Sequence, residues 1–437
     1  MRQMKDSGIE WIGEIPEGWE VRKVKKIFSI VNGSTPKSDY SDFWDGDIIW
    51  VTPAEMSDNI YIIDNSKRKL TTLGYTSCGT TLVPKNSILI SSRAPIGQVA
   101  LAGNELCTNQ GCKALVSNDE ISEKFFCYFF KIQSSALNSL GKGTTFLELS
   151  SSELGNFIVP YPPLEEQQRI ADYLDAKCAH IDQCQELTRQ SMEKLRAYKL
   201  SCITEAVTKG LNPDVPLKDS GVPWIGQIPA GWENKRLRYL GTCQNGISKA
   251  GEFFGHGKPF ISYKDVYLNI TLPQNTNSLI DSTESERNLY SVKEGDIFFT
   301  RTSETIEEIG FASTCINTIE NACFAGFLIR FRPYRGILNK HFGKYYFRNS
   351  ALRAYFSQMN IVTRASLSQE ILKNLPVLLP PLPEQERIAA YLDKKCARID
   401  ALLEEKQALL DKLAEYKKSL IFECVTGKRE VPSCWNR

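Results

Sequence analysis

Two basic side chains stand at the ends of apolar runs in different parts of the chain. Arg93 closes Ile88-Leu89-Ile90-Ser91-Ser92, and Arg301 follows Ile297-Phe298-Phe299-Thr300. Arg93 and Gln98 bracket a stretch holding Pro95 and Gly97. Guanidinium and amide groups can each make paired hydrogen bonds to the edge of a purine, whereas hydroxyls and lysines suit phosphate oxygens. The hydroxyl and lysine class is represented by Ser34, Thr35 and Lys37 after Gly33, by Thr52, and by Lys142 and Thr144 around Gly143, and Trp50, at the end of the strand-like run before Thr52, is a further candidate contact. Further along, Lys249, Lys264, Thr363 and Arg364 complete the set of candidate nucleic-acid contacts.

Groups that would support catalysis are harder to find. Lys142, Lys258 and Lys344 each follow a glycine, but the rest of a phosphate-binding loop is missing. Glycine-rich cofactor fingerprints and the Asn/Asp-Pro-Pro-Tyr/Phe element of amino-methyltransferases are absent as well. Pro213-Asp214 followed by Glu233-Asn234-Lys235 formally matches a carboxylate metal site of nucleases. Asp214 lies in a Pro-rich linker, however, and the matching place earlier in the chain reads Glu20-Val21-Arg22, so coincidence is the better account. Thirteen cysteines without a CxxC pair, and only three histidines, point to reduced thiols in a cytoplasmic protein rather than to disulfides or zinc.

The elements that must carry these residues are written twice. Lys5-Asp6-Ser7-Gly8, Trp11-Ile12-Gly13, Ile15-Pro16 and Gly18-Trp19-Glu20 return as Lys218-Asp219-Ser220-Gly221, Trp224-Ile225-Gly226, Ile228-Pro229 and Gly231-Trp232-Glu233. Pro162-Pro163-Leu164-Glu165-Glu166-Gln167 returns as Pro380-Pro381-Leu382-Pro383-Glu384-Gln385, and the match runs on to Val207-Thr208 and Val425-Thr426. Between the matched parts, 30–145 and 243–362 diverge. Retention of the tryptophans in both copies favours a scaffold role over stacking on bases. Carboxylates in Glu165-Glu166 and at Glu384 fit a helix's first turn.

After each double proline the chain holds no Pro or Gly until Gly210 or Gly427, apart from Pro383 in the second copy's opening turn. Leu392, Ile399, Lys406, Leu413 and Leu420 fall seven apart, with Leu402, Leu409 and Tyr416 between them; Leu174, Ile181, Thr188, Leu195 and Cys202 answer in the first copy, with Cys184 and Tyr198 between. This periodicity predicts two helices about 60–65 Å long, too apolar along the stripe to stand alone and expected to pair antiparallel. With 42% hydrophobic and 24% charged residues, the composition is that of a water-soluble globular chain, and no run of about 18 apolar residues suggests a membrane span. The net charge of +2 rules out a histone-like polycation, so any nucleic-acid surface is a local patch.

A Trp-rich opening, a variable region, Gly143-Thr144-Thr145 and then PPLxEQ leading into a long helix together resemble the specificity subunit of type I restriction–modification enzymes. The resemblance covers essentially the whole chain, though the second copy has Val362-Thr363-Arg364-Ala365 where the first has Gly-Thr-Thr. It implies a mixed α+β fold with a pseudo-twofold duplication: a target-recognition domain over 1–160, a spacer helix over 161–211, a second such domain over 212–380 and a second helix over 381–430. It further implies a non-catalytic subunit that reads a bipartite, asymmetric site on double-stranded DNA. Two methyltransferase subunits would dock on it, and restriction subunits would join to cleave. S-adenosylmethionine, ATP and Mg would belong to those partners and no cofactor to this chain, in the cytoplasm of a bacterium or archaeon. The alternatives are a self-contained nuclease or methyltransferase, which the missing motifs oppose, and a protein-binding scaffold.

Overall fold

A computed structural model describes the chain apart from residues 1, 11, 58, 59, 119, 144–146, 224, 303–308, 350, 353, 354, 357–365 and 433–437. It divides into two compact units, Met1–Thr188 with Ala408–Arg437, and Arg189–Gln407. Each unit holds one lobe and parts of both long helices.

The first lobe is built on a five-stranded sheet. Its strands are β1 (Phe28–Asn32), β3 (Ile62–Ile63), β5 (Ile88–Ser91), β6 (Val99–Ala102) and β8 (Cys112–Ser117), in the order β1-β8-β5-β6-β3. A smaller sheet joins β2 (Trp44–Val51), β4 (Lys69–Leu70) and β7 (Cys107–Thr108), with β2 central. All four residues of β5 are buried, because successive side chains feed opposite clusters. Ile88 and Ile90 join the core that holds Trp19 and helix α1 (Glu123–Ile132), while Leu89 joins Val51, Ala100 and Ala114 on the other face. Six successive residues of α1, Phe125 to Phe130, are buried, as expected of a helix with protein on every side.

The second lobe repeats this plan. Its strands β9 (Gly241–Asn245), β12 (Ile297–Thr300), β13 (Ala312–Thr314) and β15 (Leu328–Pro333) order as β9-β15-β12-β13. Beside them β10 (Phe254–Ile261) lies between β11 (Leu279–Ile280) and β14 (Cys323–Phe324). Ile297 and Phe299 pack with Trp232 and Phe342, and Phe298 packs with Phe324 on the opposite face.

The two long helices are α2 (Leu164–Lys209) and α4 (Leu382–Val425), with the short α3 (Lys340–Tyr346) preceding α4. In the first unit Asp182 of α2 accepts from Lys417 of α4 at 2.6 Å, and in the second Lys199 of α2 donates to Asp400 of α4 at 2.6 Å. Within the second unit Lys199 meets Asp400 while Gly210 lies against Glu384, so the numbering rises along α2 as it falls along α4 and the pairing there is antiparallel. The matched residues Lys199/Lys417 and Asp182/Asp400 thus form one equivalent ion pair in each unit. Leu174, Ile181, Leu392, Ile399 and Leu420 are buried as the heptads predict. The intervening stripe is not: Leu402 is 38%, Leu409 45% and Tyr416 47% exposed. The packed seam is therefore narrower than the sequence suggests, and one apolar row on α4 faces solvent.

Gly210 and Gly427 end the long helices in the left-handed conformation, at φ 78° and 73°. Gly427 abuts Pro16 and Trp19, and Gly210 abuts Pro229 and Trp232. Each opening motif thus receives the end of the other copy's helix. Trp19 and Trp232 are almost fully buried, consistent with the scaffold role expected of them, and Trp11 and Trp224 lie outside the described residues.

Candidate nucleic-acid interface

Two clamps duplicated in the sequence fix each lobe to its helix. Gln167 donates from Nε2 to the Pro162 carbonyl at 2.8 Å and accepts from the Ser122 amide at 3.0 Å, at the start of α1. Gln385 repeats this with Pro380 at 2.9 Å and the Asn339 amide at 2.8 Å. Asp175 accepts from Tyr128, as Asp393 does from Tyr345, both at 2.8 Å. The glutamine of PPLxEQ therefore works as a rivet for the lobe.

On the first lobe, four loops converge beside the ends of β1, β5 and β7. Ser34 donates its amide to the Thr108 carbonyl at 2.9 Å, and the Thr35 hydroxyl donates to Gln110 Oε1. Gly33 is required here, since a Cβ would strike the carbonyls of Thr108 and Asn109. Trp50 is buried against Trp44 and donates Nε1 to the Ser34 carbonyl at 3.0 Å, so it supports this loop and does not display its ring. Thr52 caps a helical turn through Glu55 at 2.9 Å and 2.5 Å. Lys37 lies 5.8 Å from the Tyr40 ring centroid. Arg93 pairs with Glu148 at 3.0 Å and Lys142 with Glu153 at 2.6 Å, all at the surface. Gln98 has a buried Oε1 without a partner, so its amide points inward. Nearby Lys113, buried beneath the loops, donates to Asn32 at 2.8 Å, and burial pulls its ammonium below the ordinary lysine pKa. Thr144 lies outside the described residues.

On the second lobe, Lys249 donates to Glu286 at 2.7 Å and to the Asp281 carbonyl at 2.8 Å, which makes it a brace rather than a free cation. Lys264 is exposed on the short helix Tyr263–Leu268. Arg301 is half-exposed at the end of β12. Thr363 and Arg364 lie outside the described residues. Glu233 pairs with its neighbour Lys235 at 2.6 Å, and Asp214 sits exposed in the linker. Among the described residues no group of three or more metal-ligating side chains assembles.

The backbone fixes how the two rims correspond, in the register of the sequence match between 88–93 and 297–302. Ser92 donates its amide to the Gly111 carbonyl at 2.7 Å and accepts from Leu149 at 2.9 Å; Arg301 does the same with Phe327 at 2.9 Å and Leu367 at 2.7 Å. Arg301 therefore occupies the place of Ser92, and Arg93 answers to Thr302. These lie in the isolated bridges Arg93 to Glu148 and Thr302 to Ser366. A slip of one residue puts side chains on opposite sides of an extended chain. The two arginines are thus not equivalent, although both end a core strand at the same rim.

Sequence reasoning missed Gln110, Phe327 and the carboxylates Glu148 and Glu153. The counterions are remote in sequence from their partners, and no local pattern marks them. Gln110 and Phe327 sit in the segments Cys107–Cys112 and Cys323–Leu328, which can be aligned only once the strands are paired.

Comparison with known proteins gives a consistent answer. The family of the type I restriction modification DNA specificity domain matches residues 16–196 and again 229–412. The MjaIX type I restriction enzyme specificity subunit of Methanocaldococcus jannaschii is 30% identical over 321 residues, covering 70% of this chain and 72% of that protein. The EcoKI specificity subunit of Escherichia coli K12 is 24% identical over 410 residues, or 87% and 83% of the two chains. Among solved structures, a chain from work on assembly and conformational transition of the type I R-M system matches with a TM-score of 0.75 at 18% identity, over 95% of this chain and 99% of that one. The HsdS subunit of Thermoanaerobacter tengcongensis matches at 0.58, also 18% identical, over 95% and 98%. The fold is shared at this distance, and the family model matches both copies of the internal repeat. The chain belongs to the type I restriction–modification DNA specificity family.

Proposed function

We propose that each lobe reads one half of a bipartite, asymmetric DNA site, on behalf of methyltransferase and restriction subunits that carry out the chemistry. The observation that carries this reading is the pairing of one backbone frame with two unlike sets of side chains. A duplicated scaffold presenting Thr35, Arg93 and Gln110 in one lobe and Ser248, Arg301 and Phe327 in the other suits two different half-sites. The chain itself is a non-catalytic specificity subunit.

Its partners are double-stranded DNA, two methyltransferase subunits and the restriction subunits. The exposed row Leu402, Leu409 and Tyr416 on α4 supplies apolar area for docking the methyltransferases. S-adenosylmethionine, ATP and Mg would be bound by those partners and not by this chain. Among the described residues no helix is long and apolar enough to cross a membrane. The relatives come from bacteria and an archaeon, and we place the protein in the cytoplasm of such a cell.

Exchanging residues 30–145 for those of a relative tests the modular reading. Methylome sequencing of cells expressing the full assembly should show one half of the methylated motif changed and the other intact. A change in both halves, or in neither, refutes it.

A further inference from the structure

We infer that the loop tips 109–111 and 325–327 are matched reading elements, with Gln110 contacting bases for the first lobe and Phe327 for the second. This deepens the proposed function and rests on it.

The inference starts from a backbone shared without its side chains. Asn109 donates its amide to the Val51 carbonyl at 2.9 Å, as Ala325 does to Ile261 at 3.0 Å. Cys112 closes the first tip on the Asn109 carbonyl at 3.1 Å, and Leu328 closes the second on Ala325 at 3.0 Å. The carbonyls of Gly111 and Phe327 receive the amides of Ser92 and Arg301. The amides of Ser34 and Ile247 bond the residue before each tip, Thr108 and Phe324, both at 2.9 Å. Four equivalent bonds thus hold each tip at the rim where the candidate contacts gather. A tip tied this tightly presents its side chains without a further cost in loop ordering.

What the tips present differs completely. The first reads Asn109-Gln110-Gly111, the second Ala325-Gly326-Phe327. Gln110 is exposed, and its Oε1 accepts from the Thr35 hydroxyl, which fixes the orientation of the amide. An oriented amide is the group that pairs with the adenine edge in the major groove. Phe327 is 65% exposed, although its neighbours Ala325 and Leu328 are buried. A phenyl ring so displayed adds nothing to the core, but it suits the thymine methyl or a base step. Arg301 lies directly beside it, joined by the 2.9 Å backbone bond, and would supply polar readout next to the apolar contact.

The test uses the full chain assembled with its methyltransferase partners and a pool of duplex DNA randomised across the site. The parent should select two defined half-sites. Phe327→Ala should flatten discrimination by about tenfold or more at one or two adjacent positions of one half-site only. Gln110→Ala should do the same in the other half. Binding of either variant to unselected DNA should stay within about twofold of the parent, since phosphate contacts dominate that term. Both residues are exposed, so circular dichroism and assembly with the partners should match the parent. If both variants keep the parental preference at every position, the tips do not read bases. The same holds if both variants lose the same half-site. If the parent itself selects no sequence, the proposed function fails first, and this inference with it.

Discussion

Replacing Glu166 with alanine should loosen the first unit far more than the matching Glu384→Ala loosens the second. Glu166 takes two bonds from Arg2, at 2.6 and 2.8 Å, and one from the buried Trp19 Nε1 at 2.9 Å. In the second copy Val215 stands where Arg2 would fall, and the buried Trp232 Nε1 has no partner. Losing a carboxylate acceptor from a buried indole costs about 1.5–3 kcal/mol. The Arg2 pair is partly solvated and adds up to about 1 kcal/mol. The expected loss is therefore about 2–4 kcal/mol for Glu166→Ala, against less than about 1 kcal/mol for Glu384→Ala. Two separate units, the first of them discontinuous in sequence, make a single unfolding midpoint ill-defined, so amide hydrogen exchange is the suitable assay. Peptides covering 19–27 and 123–132 should exchange roughly thirty- to several-hundred-fold faster in Glu166→Ala, while the second unit serves as internal control. Burial alone would raise the Glu166 pKa, but the bonds from Arg2 and Trp19, with the charges of Arg2 and Arg169, hold it below the ordinary 4.5. A lowered folded pKa means the contribution is complete above about pH 4.5 and is lost as pH falls through the folded value. Parent and variant should then converge on acidification. Equal effects in the two units, or a difference that persists unchanged in acid, would refute the reasoning.

Other expectations follow from the same geometry. Arg93→Ala and Arg301→Ala should each weaken discrimination by about 1–3 kcal/mol within one half-site, read by binding to single-base variants of the methylated motif. Glu148→Gln frees Arg93 from its counterion and should tighten binding to random DNA severalfold at low salt, the gain shrinking as salt rises. Adding one heptad to both α2 and α4 adds about 10 Å of helix. That should lengthen the unread spacer of the methylated motif by about three base pairs without changing the half-sites; an unchanged spacer in the methylome would show that the helices do not set it. Gln167→Ala should raise amide exchange around Ser122 by breaking both of its backbone bonds, with little effect on the Gln385 site.

The duplication, the long helices and the scaffold role of Trp19 and Trp232 were legible because they depend on periodic or repeated residues whose neighbours are local. Helix ends were marked by double prolines and by Gly210 and Gly427. The rim was less legible. Arg93 stands five residues after Ile88 and Arg301 four after Ile297, so the offset can be counted in the sequence, and the amide bonds of Ser92 and Arg301 show that it places the two side chains differently. Trp50 and Lys249 resemble surface contacts in sequence, yet long-range partners turn the first into a buried prop and the second into a brace. The exposed row from Leu402 to Tyr416 was misassigned for a related reason. A heptad pattern marks apolar rows without saying which of them this chain itself covers.

Completion of the first unit has a consequence for how the chain comes off the ribosome. Its core includes Leu420, Ile421, Cys424 and Val425, and Gly427 closes against Pro16 and Trp19. More than two hundred residues of the second unit must therefore be synthesised before the earliest-made lobe receives its last wall. Until then that lobe leaves Trp19, Ile170 and Leu174 short of their covering partners, a sticky surface during translation. The second unit is drawn from one unbroken stretch, Arg189–Gln407, and can close as soon as that stretch emerges. A nascent chain stalled before residue 408 should accordingly hold its later half in better order than its earlier one, the reverse of the usual vectorial sequence.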